Sequence, residues 1–212
     1  MQVPAPPQRA ATNARARRTR SALLAAARSL VEEGGFGALT MGAVAERAGV
    51  TRRSVYLHFA SRGELVGALF EYVADAEGLE ASLQQVRAAP DAVSALDAWA
   101  HHEATYHARI LRVARALEDA GRDDPDAATW RQRIAQRQLL DCRLLAERLA
   151  REDRLAPPWT VESALDMLCA LISTELLERL IVDRGWTPGQ YAARFAQLLR
   201  STFATRRSST TR

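Results

Sequence analysis

Two short amphipathic segments joined by a tight turn constrain the fold of this chain more than any other feature. Thr40 precedes "MGAVAERA" and Thr51 precedes "RRSVYLHF", and apolar residues recur at helical spacing in both segments. Each threonine can accept hydrogen bonds from first-turn N–H groups, and Gly49 can adopt the left-handed conformation of a turn. The pattern predicts two capped helices in a helix-turn-helix arrangement. The side chains expected to hold the second helix against the first are Val50, Val55 and Phe59.

The polar residues of the second segment must face away from the first helix if its apolar residues face inward. The N-terminal part of a recognition helix enters the major groove of DNA, so Arg52 and Arg53 would lie at the base edges. An arginine can donate two hydrogen bonds to the O6 and N7 atoms of guanine. The groups that could bind phosphates and fix the register belong to Thr51, Ser54, Tyr56 and His58.

Charge is divided unevenly along the chain. Residues 1–62 contain ten Arg against three Glu, a balance of +7, whereas the remaining residues contain 19 basic and 22 acidic side chains, a balance of −3. A positive field confined to the N-terminal part indicates that this part binds a polyanion.

The stretch "LLAAARSLVEEGGFGALTMGAVAERAGVTRRSVYLHFASRGELV" resembles the tetracycline-repressor (TetR) family of bacterial transcription regulators. The similarity includes an Ala-rich first helix ending in Gly35-Phe36, the turn Ala48-Gly49-Val50, and an aromatic pair around His58. Arg62 stands where the family prefers Lys, and Leu57 would touch a thymine methyl group or the sugar edge. The DNA contacts that the resemblance implies are Thr40, Arg52, Arg53, Ser54, Tyr56, His58 and Arg62.

The predicted fold class is all-α, with an N-terminal three-helix helix-turn-helix domain and a larger C-terminal helical domain for ligand binding and dimerisation. The expected organisation is a flexible basic arm over 1–18, the DNA-binding domain over 19–66, a connecting helix and joint over 67–85, the C-terminal domain over 86–205 and a disordered tail over 206–212. In the family, the connecting helix links the two domains, so tilting it would change the separation of two recognition helices in a dimer.

The helix expected to start at Pro90 or Asp91 carries aromatic and imidazole groups on one face. An apolar pocket with a few polar groups is what a small organic effector requires. Ordinary core packing, with His102 satisfied by a neighbour, is the alternative interpretation. The residues predicted to line the pocket are Trp99, His102, Tyr106 and Ile110, with Trp130, Ile134 and Met167 as further walls.

The segment "HHEATYH" invites a metal-site interpretation, with His101, His102, Glu103 and His107 close in sequence. An α-helix brings ligands together at positions i and i+4, as in H-E-x-x-H, and here only Glu103 and His107 have that spacing. The sequence therefore predicts neither a metal site nor a cofactor. Two alternative functions stay open: an enzyme using the His101, Glu103 and His107 region, and an architectural protein that binds DNA without sequence choice.

The last two helical segments, "WTVESALDMLCALISTELLERLIVDRG" and "TPGQYAARFAQLLRSTFA", are the candidates for a dimer interface. The first is apolar on more than one face, so it must bury more than one side. Paired with a two-fold copy, the two segments would form the family's usual four-helix interface, and intramolecular packing is the alternative. The predicted interface residues are Leu165, Leu168, Ile172, Leu176, Tyr191, Phe195, Leu198 and Leu199.

The chain has no apolar run of the length that spans a membrane, and its start lacks the apolar stretch of a secretory signal. We therefore expect a cytoplasmic protein without a membrane partner. The sequence predicts a homodimeric repressor, not an enzyme, that binds a palindromic operator in double-stranded DNA. A small-molecule effector bound in the C-terminal domain would release it.

Overall fold

The computed structural model describes residues 7–121 and 123–205, with side chains from residue 14 onward. Within these ranges the chain is helical, and an isolated antiparallel bridge between Leu155 and Ala204 is the one β-type pairing. The predicted all-α fold class is confirmed. The α-helices are α1 (Pro7–Gly34), α2 (Met41–Arg47), α3 (Arg52–Tyr56), α4 (Arg62–Ala76), α5 (Leu79–Arg87), α6 (Ala92–His102), α7 (Ala108–Ala120), α8 (Pro125–Arg151), α9 (Val161–Leu171), α10 (Thr174–Glu178) and α11 (Pro188–Phe203).

The chain divides into two compact units whose boundaries differ from the predicted domains. The first unit takes the chain through Val73 together with Ala116–Trp130, and the second takes Ala74–Arg115 together with the chain from Arg131 onward. The second unit is therefore not a continuous stretch over 86–205. Its two stretches are separated in sequence by Ala116–Trp130, which belongs to the first unit.

The first helix is longer than predicted. α1 begins at Pro7, so residues 7–18, which were expected to belong to a flexible arm, are helical. The segment is rich in Ala and Arg, which are strong helix formers, and proline is favourable at the first position of a helix. The remainder of the predicted arm, residues 1–6, and the predicted tail, 206–212, lie outside the described residues.

The helix-turn-helix forms as the sequence predicts. The hydroxyl of Thr40 accepts a hydrogen bond from the N–H of Ala43 at 3.1 Å, and that of Thr51 accepts one from Ser54 at 3.2 Å. Gly49 adopts the left-handed conformation, with φ of 65°. The apolar face of α3 packs inward, since the side chains of Val55 and Phe59 are completely buried.

The predicted connecting helix is divided into two. α4 ends at Ala76, and α5 begins after Gly78, whose φ of 70° is left-handed and costs a glycine little. The next helix starts as predicted, because the Asp91 carboxylate accepts a hydrogen bond from the N–H of Ser94 at 2.8 Å.

Three aromatic rings stack beside α4 in the first unit, and one of them, Phe36, is buried. Phe70 stacks between Phe36 and Trp130, with ring centroids 6.0 and 5.3 Å away. Trp130, predicted to line a ligand pocket in the C-terminal domain, therefore packs against α4 in the first unit. The sequence analysis did not predict this position, because Phe70, the ring on which Trp130 stacks, is distant in sequence and no residue near Trp130 indicates it.

Replacing Gly67 with alanine is expected to destabilise the protein by about 1–3 kcal/mol, because the added methyl group overpacks this interior. A Cβ at Gly67 would lie 2.9 Å from Cζ2 of Trp130, whose ring is already held by Phe70. The matched control is Gly37→Ala, where a Cβ meets no heavy atom within 4 Å among the described residues. Thermal unfolding followed by circular dichroism compares the two; equal melting temperatures would contradict the close packing.

The second unit has its own apolar core, in which α6 packs on α5 and α11. This core contains five of the predicted dimer-interface residues, Leu165, Leu168, Tyr191, Phe195 and Leu199, all buried within the single chain. At these positions the apolar face of each helix is used for intramolecular packing, which is the alternative interpretation of the sequence. Ile172 and Leu176 are half-buried, and Leu198 is exposed.

None of the helices within the described residues combines the length and hydropathy that a membrane span requires.

Candidate functional site

The outer face of α3 presents a continuous set of polar and basic groups. Arg52 and Arg53 are exposed at its first turn, directly after the capping residue Thr51. Tyr56 is 45% exposed and Leu57, just past the last turn, is 78% exposed. The remaining two residues predicted to contact DNA here, Ser54 and His58, are half-buried.

Arg52 and Tyr56 support each other one turn apart on this face. An Nη of Arg52 donates a hydrogen bond to the Tyr56 hydroxyl at 3.3 Å, and the guanidinium lies 5.7 Å from the centre of the phenol ring. A guanidinium over an aromatic face gains a cation–π attraction. The contact therefore restricts the orientation of the Arg52 side chain. The guanidinium stays exposed, so its other N–H donors remain accessible.

Arg20 fixes the end of α3, a contact that the sequence analysis missed. Its Nη1 donates a hydrogen bond to the carbonyl of His58 at 2.9 Å, and its guanidinium lies 4.4 Å from the centre of the Phe59 ring. An arginine on α1 thus holds the C-terminal end of α3 against the unit's interior. The sequence gives little indication of this contact, since Arg20 stands out only by following an arginine-rich stretch.

Arg47 joins α2 to α1 through an ion pair with Glu33. Its two Nη atoms donate hydrogen bonds to both Glu33 carboxylate oxygens at 2.9 and 2.8 Å. The hydrogen bond from Arg47, with a further one from Ser29, lowers the pKa of Glu33 to about 2. One of the ten arginines of residues 1–62 is therefore neutralised locally and adds little to the basic field.

Arg62 occupies a position that the resemblance does not imply. Its guanidinium donates to the carbonyls of Phe36 and Leu39 at 2.9 and 2.7 Å. It also contacts the carboxylates of Asp124 and Asp126, with distances of 2.6 and 2.7 Å. Hydrogen bonds to Asp124 raise the pKa of Arg62, and the same contact lowers the pKa of Asp124.

The Arg62 guanidinium, predicted to contact DNA directly, is thus bonded within the chain. Its donors are occupied within the first unit, where they tie the start of α4 to the segment before α2 and to the start of α8. A lysine, with a single ammonium group, could not make these contacts in parallel. The acidic run "DDPD" at 123–126 is the sequence signal that could have indicated a partner.

Three of the predicted pocket residues form a buried ring cluster in the second unit. The His102 ring lies 5.3 Å from those of Trp99 and Tyr106, measured between centroids, and all three side chains are buried. Ile110 and Ile134 are half-buried, and Met167 is 41% exposed. The exposure of Met167 is inconsistent with a wall of a closed pocket, because its helix turns that position outward.

Titratable groups adjoin this ring cluster within a π-helical segment, Glu103–His107, that continues α6. His107 Nδ1 lies 2.6 Å from Glu103 Oε2, and His102 Nδ1 lies 2.9 Å from the Ser82 hydroxyl. Burial lowers the pKa of His102 to about 4. Burial also opposes protonation of His107, but the Glu103 carboxylate outweighs it and raises the pKa of His107.

The capped pair α2 and α3, with one buried face and one exposed basic face, defines a helix-turn-helix protein of the DNA-binding class. The family model described as "Bacterial regulatory proteins, tetR family" matches residues 23–69, which contain both helices and most of α4. The chain belongs to the TetR family of DNA-binding transcription regulators. A search of curated proteins gave no significant match.

Solved structures with the same fold cover nearly the whole chain. NalD of Pseudomonas aeruginosa, described as the secondary repressor of the MexAB-OprM multidrug efflux pump, is 22% identical with a TM-score of 0.70, over 92% of this chain and 98% of NalD. A regulator from Saccharomonospora viridis in complex with choline is 12% identical with a TM-score of 0.72, over 90% and 100% of the two chains. FadR of Bacillus subtilis in complex with stearoyl-CoA is 16% identical with a TM-score of 0.68, over 84% and 96%.

Proposed function

We propose that this protein is a homodimeric, sequence-specific repressor that binds a palindromic operator and leaves it when a small molecule binds the second unit. DNA binding is assigned to the first unit, and effector binding and dimerisation to the second. The observation that carries the proposal is the exposed arginine pair on the first turn of a capped α3 whose opposite face is buried. Since bacterial DNA lies in the cytoplasm, the same proposal implies a cytoplasmic protein.

The chemistry of α3 fits major-groove recognition. Arg52 and Arg53 are long, charged donors at the end of the helix that enters the groove, and each can bond a guanine edge. The hydroxyls of Thr40 and Thr51 accept capping bonds, and the O–H of Thr40 can donate to a phosphate oxygen. The hydroxyls of Thr51 and Ser54 lie 3.1 Å apart, so one of the two can donate to the other and the second to a phosphate. Ser54, Tyr56 and His58 would add phosphate contacts, and Leu57 would contact a thymine methyl group or sugar.

Effector control would follow from linkage between two sites. A ligand can release DNA only by binding more tightly to a conformation whose recognition helices no longer match the operator. Two solved structures of the same fold contain choline and stearoyl-CoA, which shows that this fold accommodates chemically different small molecules. In this chain the buried cluster of Trp99, His102 and Tyr106 is the proposed region of the effector site.

Dimerisation would use apolar side chains that the second unit leaves exposed. Met167, Val182 and Leu198 are 41, 60 and 44% exposed and belong to the two segments in which the interface was predicted. A contiguous exposed apolar patch marks a site of contact with another protein, and we infer that these side chains contribute to one in the dimer. Of the residues first predicted for the interface, Leu198 is the exposed one that this proposal keeps.

Binding to duplex DNA should weaken steeply as salt is added, because each phosphate neutralised by an arginine releases a condensed counterion. Fluorescence anisotropy with a labelled duplex, repeated from low to physiological salt, measures the slope. With roughly six phosphate contacts per dimer, the affinity should fall by about 1,000-fold between 50 and 200 mM salt. A flat dependence would contradict the assignment of the basic face, whereas equal affinity for all duplexes would favour the architectural alternative.

A further inference from the structure

Three side chains of the second unit bring potential metal ligands close together. His102, Glu103 and His107 each offer one ligand atom, and these atoms lie within 4.8 Å of one another. His102 and Glu103 are buried and His107 is half-buried. The grouping is compact enough for one ion to reach all three after small side-chain adjustments.

The π-helical segment Glu103–His107 is what makes the grouping possible. In an α-helix, residues five apart point in different directions, which is why the sequence spacing argued against a metal site. A π-helix closes its hydrogen bonds between residues five apart, so His102 and His107 face the same side. Their ring centroids are 5.2 Å apart. His101, which the sequence analysis included in this region, is exposed instead.

The hydrogen bonds of the two histidines match the pattern of metal-ligating imidazoles. Such a histidine generally bonds through one ring nitrogen to a carboxylate or another polar group and coordinates through the other. His102 uses Nδ1 toward the Ser82 hydroxyl, and His107 uses Nδ1 toward Glu103. Both rings are thereby oriented through the same nitrogen.

Glu103 provides a separate observation that points to a bound cation. Its Oε1 is buried and has no hydrogen-bond partner among the described residues, although the residue is only 4% exposed. Leaving a buried carboxylate oxygen unsatisfied is costly, and such groups in native proteins call for an explanation such as a bound ion. His107 satisfies the other oxygen, so one acceptor stays available in the middle of the grouping.

We propose that His102, Glu103 and His107 bind one divalent transition-metal ion, with Zn²⁺ as the reference ion. Two imidazole nitrogens and one carboxylate oxygen form a donor set that suits Zn²⁺ and leaves a coordination position open. The short distances between the ligand atoms favour a single ion over an organic cation, which would need a wider space between the side chains. This site goes beyond the proposed repressor function and does not depend on DNA binding.

The test is a calorimetric titration of the full chain with Zn²⁺, after chelator treatment and in the absence of DNA. The expected result is saturable binding of one ion per chain. Glu103→Gln and His107→Gln preserve side-chain size and should each weaken binding by about 100-fold or more. His101→Gln removes a neighbouring exposed histidine and should leave the affinity unchanged. Unchanged affinity in the first two variants, or loss of binding in the control, would overturn the proposal.

X-ray absorption of the Zn²⁺-loaded His101→Gln protein keeps the proposal testable if the other variants do not fold. Two imidazole ligands per zinc ion are expected, and fewer than two would overturn the assignment. Absence of saturable Zn²⁺ binding to the wild-type chain would also overturn it, as would binding of a quaternary ammonium probe in place of the metal. Because no DNA is present, none of these outcomes tests DNA binding by the first unit.

Discussion

Arg62→Ala is expected to lower the free energy of unfolding by about 2–3 kcal/mol. Removing one partner of a partly buried ion pair leaves the other charges and acceptors without compensation, and a fully buried pair would lose more. Arg62 is 27% exposed and bridges Asp124, Asp126 and two backbone carbonyls. Urea unfolding followed by circular dichroism measures the change.

Two further variants separate the effect of the Arg62 hydrogen bonds from the effect of its charge. Arg62→Lys keeps the charge but cannot form the parallel hydrogen bonds, so it should recover only part of the lost stability. Arg53→Ala removes an exposed guanidinium and should leave stability almost unchanged. An Arg62→Ala protein of wild-type stability with strongly reduced DNA affinity would show instead that Arg62 contacts DNA, as the family resemblance implied.

Arg52→Ala should reduce operator affinity by about 1–3 kcal/mol per half-site, and by roughly twice that for a dimer on a palindrome. The reason is that a guanidinium on the first turn of α3 can bond both acceptors of one guanine, and alanine replaces neither bond. Preference at one base pair of each half-site should be lost together with the affinity. The measurement is anisotropy against a set of duplexes that differ singly at each operator position.

The pattern of loss separates base recognition from phosphate binding. If Arg52→Ala weakened all duplexes by the same factor, Arg52 would be a phosphate contact. Arg17→Ala is the matched control, because Arg17 is an exposed arginine of α1 that lies outside the predicted contacts. It should change affinity less and leave base preference as it is.

The parts of the fold that follow from local sequence were predictable. The caps at Thr40 and Thr51 involve residues three positions away, and the burial of Val55 and Phe59 follows from helical period alone. The exposed position of Arg52 follows from the same period, because a helix with one buried face must turn the other outward. Nearby residues decide each of these features.

Features that depend on distant partners were not predictable. Arg62 meets carboxylates 62 and 64 positions along the chain, and Trp130 stacks on a ring of α4. Likewise, a helix with several apolar faces does not reveal which of them meets its own chain, so the burial of Leu165 and Leu199 within the chain was not predicted.

The closeness of His102 and His107 was not predicted for a different reason. Its geometry depends on a π-helical segment, which changes the residue spacing that brings side chains together. Nothing in "HHEATYH" distinguishes that backbone from an ordinary α-helix. The α-helical spacing therefore predicted the contact of Glu103 with His107 but not the approach of His102 to His107.

Selection of the purified protein against a random duplex library, sequenced after several rounds at near-physiological salt, tests the central claim most directly. The account predicts enrichment of a palindrome with two half-sites about one helical turn apart, because two copies of α3 would occupy successive major grooves. Enrichment of a single half-site would contradict the dimer. Binding without enrichment of any sequence would contradict sequence-specific repression and favour the architectural alternative.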